Sequence, residues 1–383
     1  MIPMDRMRRD TFSKVKRVVI KVGSNVLTQD NGLNLGTIKS ISGQISGLIN
    51  LGVEVILVTS GAMASGLKKM GLPQRPEQIP QRQAAAAVGQ AGLILAYEKA
   101  FSKHDKKVAQ ILLTSDDLSN RNRYLNARNT LNVLLSWKVV PIINENDTVK
   151  VEEIKFGDND NLSAMIALLL DAHALINLTD IDGLYTHDPQ VHENAKLLPL
   201  ISTITKDIED MAGGIPGALG TGGMRSKIKA ARKLTLAGIP MVIANGKRKN
   251  VLADIFSGLE TGTFFVPKKE KLASRKCWIG FSSKPRGTVV VDEGAKKAMV
   301  KRGKSLLPSG IVGVEGDFPV GSPVSVKAEN GELLGIGLVN YSARDIKDIM
   351  GLKTAAICER LGAKSYDEVI HRNNLSLTGE CGL

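Results

Sequence analysis

Six short runs of consecutive apolar residues recur along the first two thirds of the chain. They are RVVIKVG (Arg17 to Gly23), VEVILVTSGA (Val53 to Ala62), KVAQILLT (Lys107 to Thr114), VVPIINEND (Val139 to Asp147), ALINLTD (Ala174 to Asp180) and IPMVIANG (Ile239 to Gly246). Val/Ile/Leu runs without polar alternation predict strands buried on both faces, as in a largely parallel sheet. Between them, apolar residues return at helical spacing over Asn34 to Leu51, Gln81 to Lys103, Asn129 to Trp137, Asn161 to Asp171 and Met224 to Ala237. The alternation predicts an α/β fold, an open and mainly parallel sheet sandwiched by helices. Ligands of such sheets collect beyond the carboxyl ends of the strands. Polar residues crowd there: KVGSN closes the first run, TSGA the second, NEND the fourth and TD the fifth. One shared site is the expectation.

The texture changes after residue 266. PKKEKLASRKCWIGFSSKP (267–285) reads as a basic linker, and GTVVVDEGAKKAMVKRG as a strand followed by a short helix. Short glycine-rich strands follow, with Asn330-Gly331 predicting a tight hairpin turn. The expected organisation is a flexible N-terminal arm (1–16), an α/β catalytic domain (17–266), the linker (267–285), a small β-rich domain (286–366) and a C-terminal tail (367–383).

Composition is that of a soluble globular chain, with 43% hydrophobic and 23% charged residues. AAAAVGQAGLILA (Ala84 to Ala96) is too short for a membrane span. The basic start has no continuous apolar core, so no secretory signal is expected. Three well-separated cysteines fit a reducing cytoplasm. The net charge of +13 invites a nucleic-acid reading, but residues 1–17 carry 6 basic against 2 acidic residues and 267–285 carry 6 against 1. Such stretches read as solvated segments more readily than as polyanion sites.

Four motifs could carry chemistry. Lys21 inside VVIKVG is costly unless its ammonium reaches solvent or an anion, so it either meets a ligand or snorkels outward. Gly23 and Ser24 can present backbone N–H groups at the following turn. In TSGA, Ser60 offers a hydroxyl and Gly61 close backbone approach, although small residues serve helix–strand packing equally well. In EIKFGDNDNLSA, Asp158, Asn159, Asp160 and Asn161 crowd a helix entrance; one suffices as a cap, and the alternative is a cap with solvated neighbours. GTGGMRSK (Gly220 to Lys227) lacks the P-loop spacing yet opens a helix, so its free N–H groups and positive dipole end face whatever lies in front. Lys227 stands there against the dipole preference, as if an anion were expected. A plain glycine-rich loop is the alternative, and GGIPGALGTGG before the helix reads as a segment able to close over a nucleotide. Two lysines, N–H-rich turns and one or two aspartates suit phosphoryl transfer, which asks mainly for positioning and charge neutralisation. No histidine or cysteine occurs in these motifs, in keeping with a carboxylate acceptor, which needs no general base.

In order along the chain, VVIKVGSNVL, VTSGA, AVGQ, LLT, LNARNTL, VPIINEND, EIKFGDNDNLSA, LTDIDGLYT and GTGGMRSK resemble the amino acid kinase family in its glutamate-phosphorylating branch. VDEGA, RGKSLLPSGI and the final strands are similar to a PUA domain. The resemblance implies ATP-dependent phosphorylation of the L-glutamate side-chain carboxylate to L-glutamyl 5-phosphate, an early step of proline synthesis. Carried over by position, Lys21 and Lys227 would stabilise the migrating phosphoryl group and Asp160 would orient them. Ser60, Asn144, Asp147 and Asn159 would hold glutamate. Lys21, Gly23, Ser24, Thr179, Asp180, Thr221, Gly222, Gly223, Met224, Arg225, Ser226 and Lys227 would contact ATP. Mg²⁺ would bridge the ATP phosphates without a dedicated protein cage. An acidic Asp147 suits the α-ammonium group of free glutamate, a charge that an N-acetylated substrate lacks.

The same resemblance implies a cytoplasmic homo-oligomer (dimer or tetramer), inhibition by proline, and a possible hand-over of product to glutamyl phosphate reductase, with no membrane partner. RNA is not expected as a partner, because residues 286–366 carry only 12 basic against 9 acidic residues and few aromatics. Two positions depart from the pattern. Arg225-Ser226 stands where a small residue and threonine are commoner, and Asn25 replaces a small hydroxyl residue. INEND and GDNDNLSA argue against acetylglutamate, carbamate or UMP as acceptor.

Overall fold

The computed structural model describes residues 4–29, 32–149, 159–212, 223–268, 274–362 and 366–378. The chain divides into two compact units, one of Met1–Asp117 with Arg121–Glu270 and one of Leu118–Asn120 with Lys271–Leu383.

The first unit is built on an eight-stranded sheet. Its strands are Arg17–Val22 (β1), Glu54–Val58 (β2), Lys107–Leu113 (β3), Val139–Glu145 (β4), Ala174–Thr179 (β5), Leu200–Ile201 (β6), Met241–Asn245 (β7) and Thr263–Phe265 (β8). They lie in the order β3-β4-β2-β1-β5-β7-β8-β6, and every pairing is parallel except that of β7 with β8. All six apolar runs became strands; β6 and β8 are too short to announce themselves. Helices Met4–Phe12 (α1), Ser24–Leu27 (α2), Leu35–Asn50 (α3), Ala62–Met70 (α4), Ile79–Ser102 (α5), Arg121–Ser136 (α6), Asn159–Leu169 (α7), Met224–Leu236 (α8) and Val251–Phe256 (α9) accompany it.

The alternation of side chains along a strand divides β1 between two jobs. Val18, Ile20 and Val22 join one core with Ile38, Ile41 and Ile45 of α3 and Tyr97 and Phe101 of α5. Lys21 belongs to the opposite face, where α7 crosses. In register it lies between Val58 of β2 and Asn177 of β5. The α4–α5 crossing is closer still. A Cβ built on Gly66 would stand 1.7 Å from the Ala85 carbonyl oxygen, and one on Gly89 would stand 1.8 Å from that of Ala62. Gly89 is the glycine of AVGQ, so its motif is explained by packing.

The N-terminal arm differs from expectation. It forms α1, whose Phe12 packs against Phe256 and Phe264. Arg8 is 1% exposed. Its guanidinium donates to the carbonyls of Leu259 (3.1 Å), Thr261 (2.8 Å), Pro199 (2.7 Å) and Gly262 (2.9 Å). Arg8 and Phe12 stand one helical turn apart and share a face, so residues that look solvated in a charge count hold the edge of the sheet. Burying Phe12 contributes about 2 kcal/mol.

The second unit also reaches beyond its expected limits. Helix Ser274–Ser282 (α10) lies within the stretch read as a linker, and its Cys277, Trp278 and Ile279 are buried. Strands Thr288–Val291 (β9), Ile311–Glu315 (β10), Pro323–Ala328 (β11), Leu333–Leu338 (β12) and Leu375–Leu377 (β13) form a sheet in the order β10-β9-β11-β12-β13. Strand β13 and the buried Val369 and Ile370 come from the stretch read as a tail. Apolar residues on a few separated positions were enough to recruit both segments. The hairpin at Asn330-Gly331 is present, with Gly331 at φ 84°.

Candidate active site

Beyond the carboxyl ends of β1, β2, β4 and β5 lies a cavity of about 530 Å³. Most of the residues that sequence reasoning marked converge on it. Lys21, Gly23, Ser24, Ser60, Asn144, Asp147, Asn159, Thr179, Asp180, Gly223, Met224 and Lys227 all line it.

Its floor is a charge cluster. Asp160, in the first turn of α7, is 1% exposed. Its Oδ1 lies 2.6 Å from Lys21 Nζ and accepts from Asn177 Nδ2 at 2.9 Å. Its Oδ2 lies 3.2 Å from Lys227 Nζ and accepts the Ser226 hydroxyl. Lys21 comes from the end of β1 and Lys227 from the first turn of α8, so one carboxylate ties strand and helix together. Burial alone would push the Asp160 carboxyl up, but the Lys21 and Lys227 ammonium groups hold it well below the usual carboxylate range. Two buried ammonium groups thus meet at one carboxylate, and Lys21 and Lys227 both line the cavity.

One side of the cavity is an amide network. Asn159 Nδ2 donates to the Thr59 carbonyl and the Ser60 hydroxyl, each at 2.9 Å, and to Asn144 Oδ1 at 3.1 Å. Asn144 also accepts from the Glu145 amide at 2.9 Å, which fixes which end of its amide faces Asn159. Behind it, the Thr59 hydroxyl bonds the buried Tyr97 hydroxyl at 2.9 Å. Asp147 lies half-buried in a 3₁₀ turn after β4. Arg75, between α4 and α5, also lines the cavity; burial and Arg82 push its guanidinium down in pKa and Asp147 pulls it back.

The other side follows β5. Asp180 accepts from Asn25 Nδ2 at 2.9 Å and from the Thr179 hydroxyl at 3.0 Å. Burial would push its carboxyl up, yet the bond from Asn25 and those that follow hold it below its ordinary value. The Gly23 amide is bonded to the Leu178 carbonyl at 2.9 Å, so that N–H serves the turn and is not offered to a ligand. Tyr185, His187 and His192 complete the wall, the two imidazoles meeting edge to face at 5.4 Å between centroids.

Some expectations need revision. Arg225 is exposed and does not line the cavity, because it points off the outer face of α8. Ser226 is not in the lining either; its hydroxyl is spent on Asp160 and is bonded to the Gly223 carbonyl at 2.8 Å. Thr221, Gly222, Asp158 and most of the glycine-rich run before α8 lie outside the described residues. Arg75, Asn177 and residues 187–192 were missed, whereas Ile181, Leu184, Tyr185 and Thr186 lie in the quoted motif LTDIDGLYT without having been given a role. Only Asn177 carried a signal: an amide inside the apolar run ALINLT.

Among the described residues no group of three or more His, Cys, Asp or Glu side chains could hold a metal ion. Both Asp160 oxygens already face lysines. Asp180 is half-buried in the cavity wall along β5.

Comparison with known proteins identifies the family of each unit. The profile described as amino acid kinase family matches residues 16–245, and that of the PUA domain matches residues 287–361. A glutamate 5-kinase of Syntrophus aciditrophicus is 54% identical, covering 98% of this chain and 97% of that protein. The glutamate 5-kinase of Geobacter sulfurreducens is 51% identical over 96% of this chain and 99% of its own length. Among solved structures, carbamate kinase from Giardia lamblia bound to AMP-PNP superposes with a TM-score of 0.49 at 17% identity, covering 67% of this chain and 100% of that one. UMP kinase from Bacillus anthracis gives 0.47 at 18% identity, covering 66% and 96%.

Proposed function

The chain belongs to the amino acid kinase family, and on that premise we propose that it transfers the γ-phosphoryl group of ATP to the side-chain carboxylate of L-glutamate. The product is L-glutamyl 5-phosphate, the activated acid that proline synthesis requires. The observation that carries the reading is the Asp160 carboxylate held between Lys21 and Lys227 beneath the cavity.

The chemistry follows from that cluster. A glutamate carboxylate oxygen forms a bond to the γ-phosphorus while the bond from that phosphorus to the β,γ-bridging oxygen breaks, and ADP leaves. The acceptor is already ionised at neutral pH, so no proton has to be removed. Negative charge spreads over the transferring group, and Lys21 and Lys227 neutralise it in a site that excludes much of the water. Asp160 stays ionised and keeps the two ammonium groups apart and aimed. Ser60, Asn144, Asp147 and Asn159 hold glutamate, with Asp147 pairing the α-ammonium group. Thr179, Asp180 and the start of α8 take the nucleotide, whose phosphates carry Mg²⁺; that ion would neutralise phosphate charge. Inhibition by proline, assembly into a homo-oligomer and delivery to a reductase belong to the same reading.

The test traps the acyl phosphate. Protein, ATP, Mg²⁺ and L-glutamate with hydroxylamine should yield a hydroxamate in step with ADP, less of it when proline is added. Acetylglutamate, carbamate and UMP should release no ADP. Turnover on one of those three with none on glutamate would overturn the assignment.

A further inference from the structure

Asn177 has no role in the chemistry described so far, yet it occupies an expensive position. It sits in β5, where every residue is buried, and it is itself 0% exposed. Asparagine is depleted from strands, and an amide buried on both sides needs partners for its donors and its acceptor. Its register neighbours are Lys21 on β1 and Ile243 on β7. It therefore stands beside Lys21 and within hydrogen-bond reach of Asp160. Its Nδ2 donates to Asp160 Oδ1 at 2.9 Å, the same oxygen that meets Lys21. Its Oδ1 has no hydrogen-bond partner among the described residues. A leucine would fill much the same volume in this apolar strand without leaving an acceptor unsatisfied. The bond to Asp160 is what the amide supplies, and the unsatisfied oxygen offsets part of its gain in stability.

We propose that Asn177 is a positioning residue for phosphoryl transfer, holding the Asp160 carboxylate in the rotation that presents Lys21 and Lys227 separately to the transferring group. The two oxygens of Asp160 are handled symmetrically. Asn177 and Lys21 take one, and Ser226 and Lys227 take the other. Each lysine is thereby assigned one oxygen, and a neutral donor fixes that oxygen in place. Without the amide, the carboxylate can turn so that both ammonium groups compete for one edge. The cost falls on geometry at the reacting centre, where small misplacements are amplified. Asn177 touches neither substrate nor nucleotide, since it is absent from the cavity lining.

This inference rests on the reading of the cavity as a kinase site, and the experiment separates the two. Glutamate-dependent ADP release, KM for both substrates and thermal unfolding are measured for the parent, Asn177→Leu and Asn177→Asp. The leucine variant should lose roughly tenfold in kcat, the scale of a hydrogen bond to a charged group, with both KM values within about twofold of the parent. Its Tm should fall only modestly, because the Asp160 carboxylate loses one donor but keeps Lys21 on the same oxygen, and the unsatisfied Asn177 oxygen is removed. The aspartate variant has the same shape but donates only when protonated. Its carboxyl faces Asp160, Lys21, Lys227 and Ile243, so its kcat relative to the parent should rise as the pH is lowered, while the leucine ratio stays flat. A leucine variant with parental kcat overturns the inference, as does one whose loss merely tracks the unfolded fraction. So does an aspartate variant as active as the parent at every pH. A parent inactive on glutamate would sink the functional reading and this inference with it.

Discussion

Arg8 and the Lys21–Lys227 pair are both buried cations of the first unit, and their surroundings differ in one respect. The four carbonyls around Arg8 are part of the backbone. They are fixed, neutral and directed at a guanidinium whose planar fork suits several acceptors at once. At the cavity floor, two ammonium groups share one carboxylate. Burying such a set gains the fold little, because the cost of desolvating three charges rivals their attraction. Both ammonium groups line the cavity, where a phosphate tail could meet them. Backbone carbonyls around a guanidinium make a fixed architectural tie, whereas two ammonium groups meeting at one carboxylate in a cavity wall are placed for chemistry.

That contrast can be broken by substitution. Lys227→Ala is expected to lower kcat by about three orders of magnitude, near 4 kcal/mol of transition-state stabilisation, while thermal unfolding changes little because Lys21 still pairs Asp160. Normal turnover in that protein would erase the distinction. Arg8→Met should do the opposite and cost about 3 kcal/mol in urea unfolding, since several buried carbonyls lose their donor, with kcat per folded molecule preserved.

Asp147→Asn should sharpen the same picture from the substrate side. Glutamate KM is expected to rise about tenfold with kcat within about twofold, the signature of lost uniform binding. An unchanged KM removes Asp147 from the acceptor's contacts. The smallest effect concerns acid. Lys21 and Lys227 outweigh burial and depress the Asp160 carboxyl in the folded state. Its contribution to stability is therefore full above the ordinary value of about 3.9 and is lost as pH falls from there toward the folded value. Asp160→Asn has no such loss. The stability gap between parent and variant, compared by denaturant unfolding at pH 6 and pH 3, should narrow at the acid end.

Much of this was legible in the residues themselves. Uninterrupted Val and Ile announced the six longer strands, and polar residues at strand ends announced the cavity. Lys21 drew notice because a lysine is out of place in a buried strand, and Asp160 because four polar residues exceed one cap. The rest was hidden for stated reasons. Arg8 and Phe12 make a single contact stripe on a nine-residue helix, too short for periodicity to show. Leu375–Leu377 offers three residues to the second sheet. Asn177 was absorbed into the strand that carries it, and its partner lies on a helix 17 positions earlier, a pairing visible only after folding.

The touching backbones at Gly66 and Gly89 have a consequence for which acceptors fit. Helix α4 starts at Ala62, and Gly61, Ala62 and Met63 form part of the cavity wall. At Gly66 and Gly89 the backbones of α4 and α5 meet directly, and α5 runs for 24 residues with Tyr97 and Phe101 in the core. That wall is splinted by a long lever and cannot bow outward unless the whole lever moves. An acceptor one carbon longer than the cavity allows is therefore expected to meet a wall that yields little.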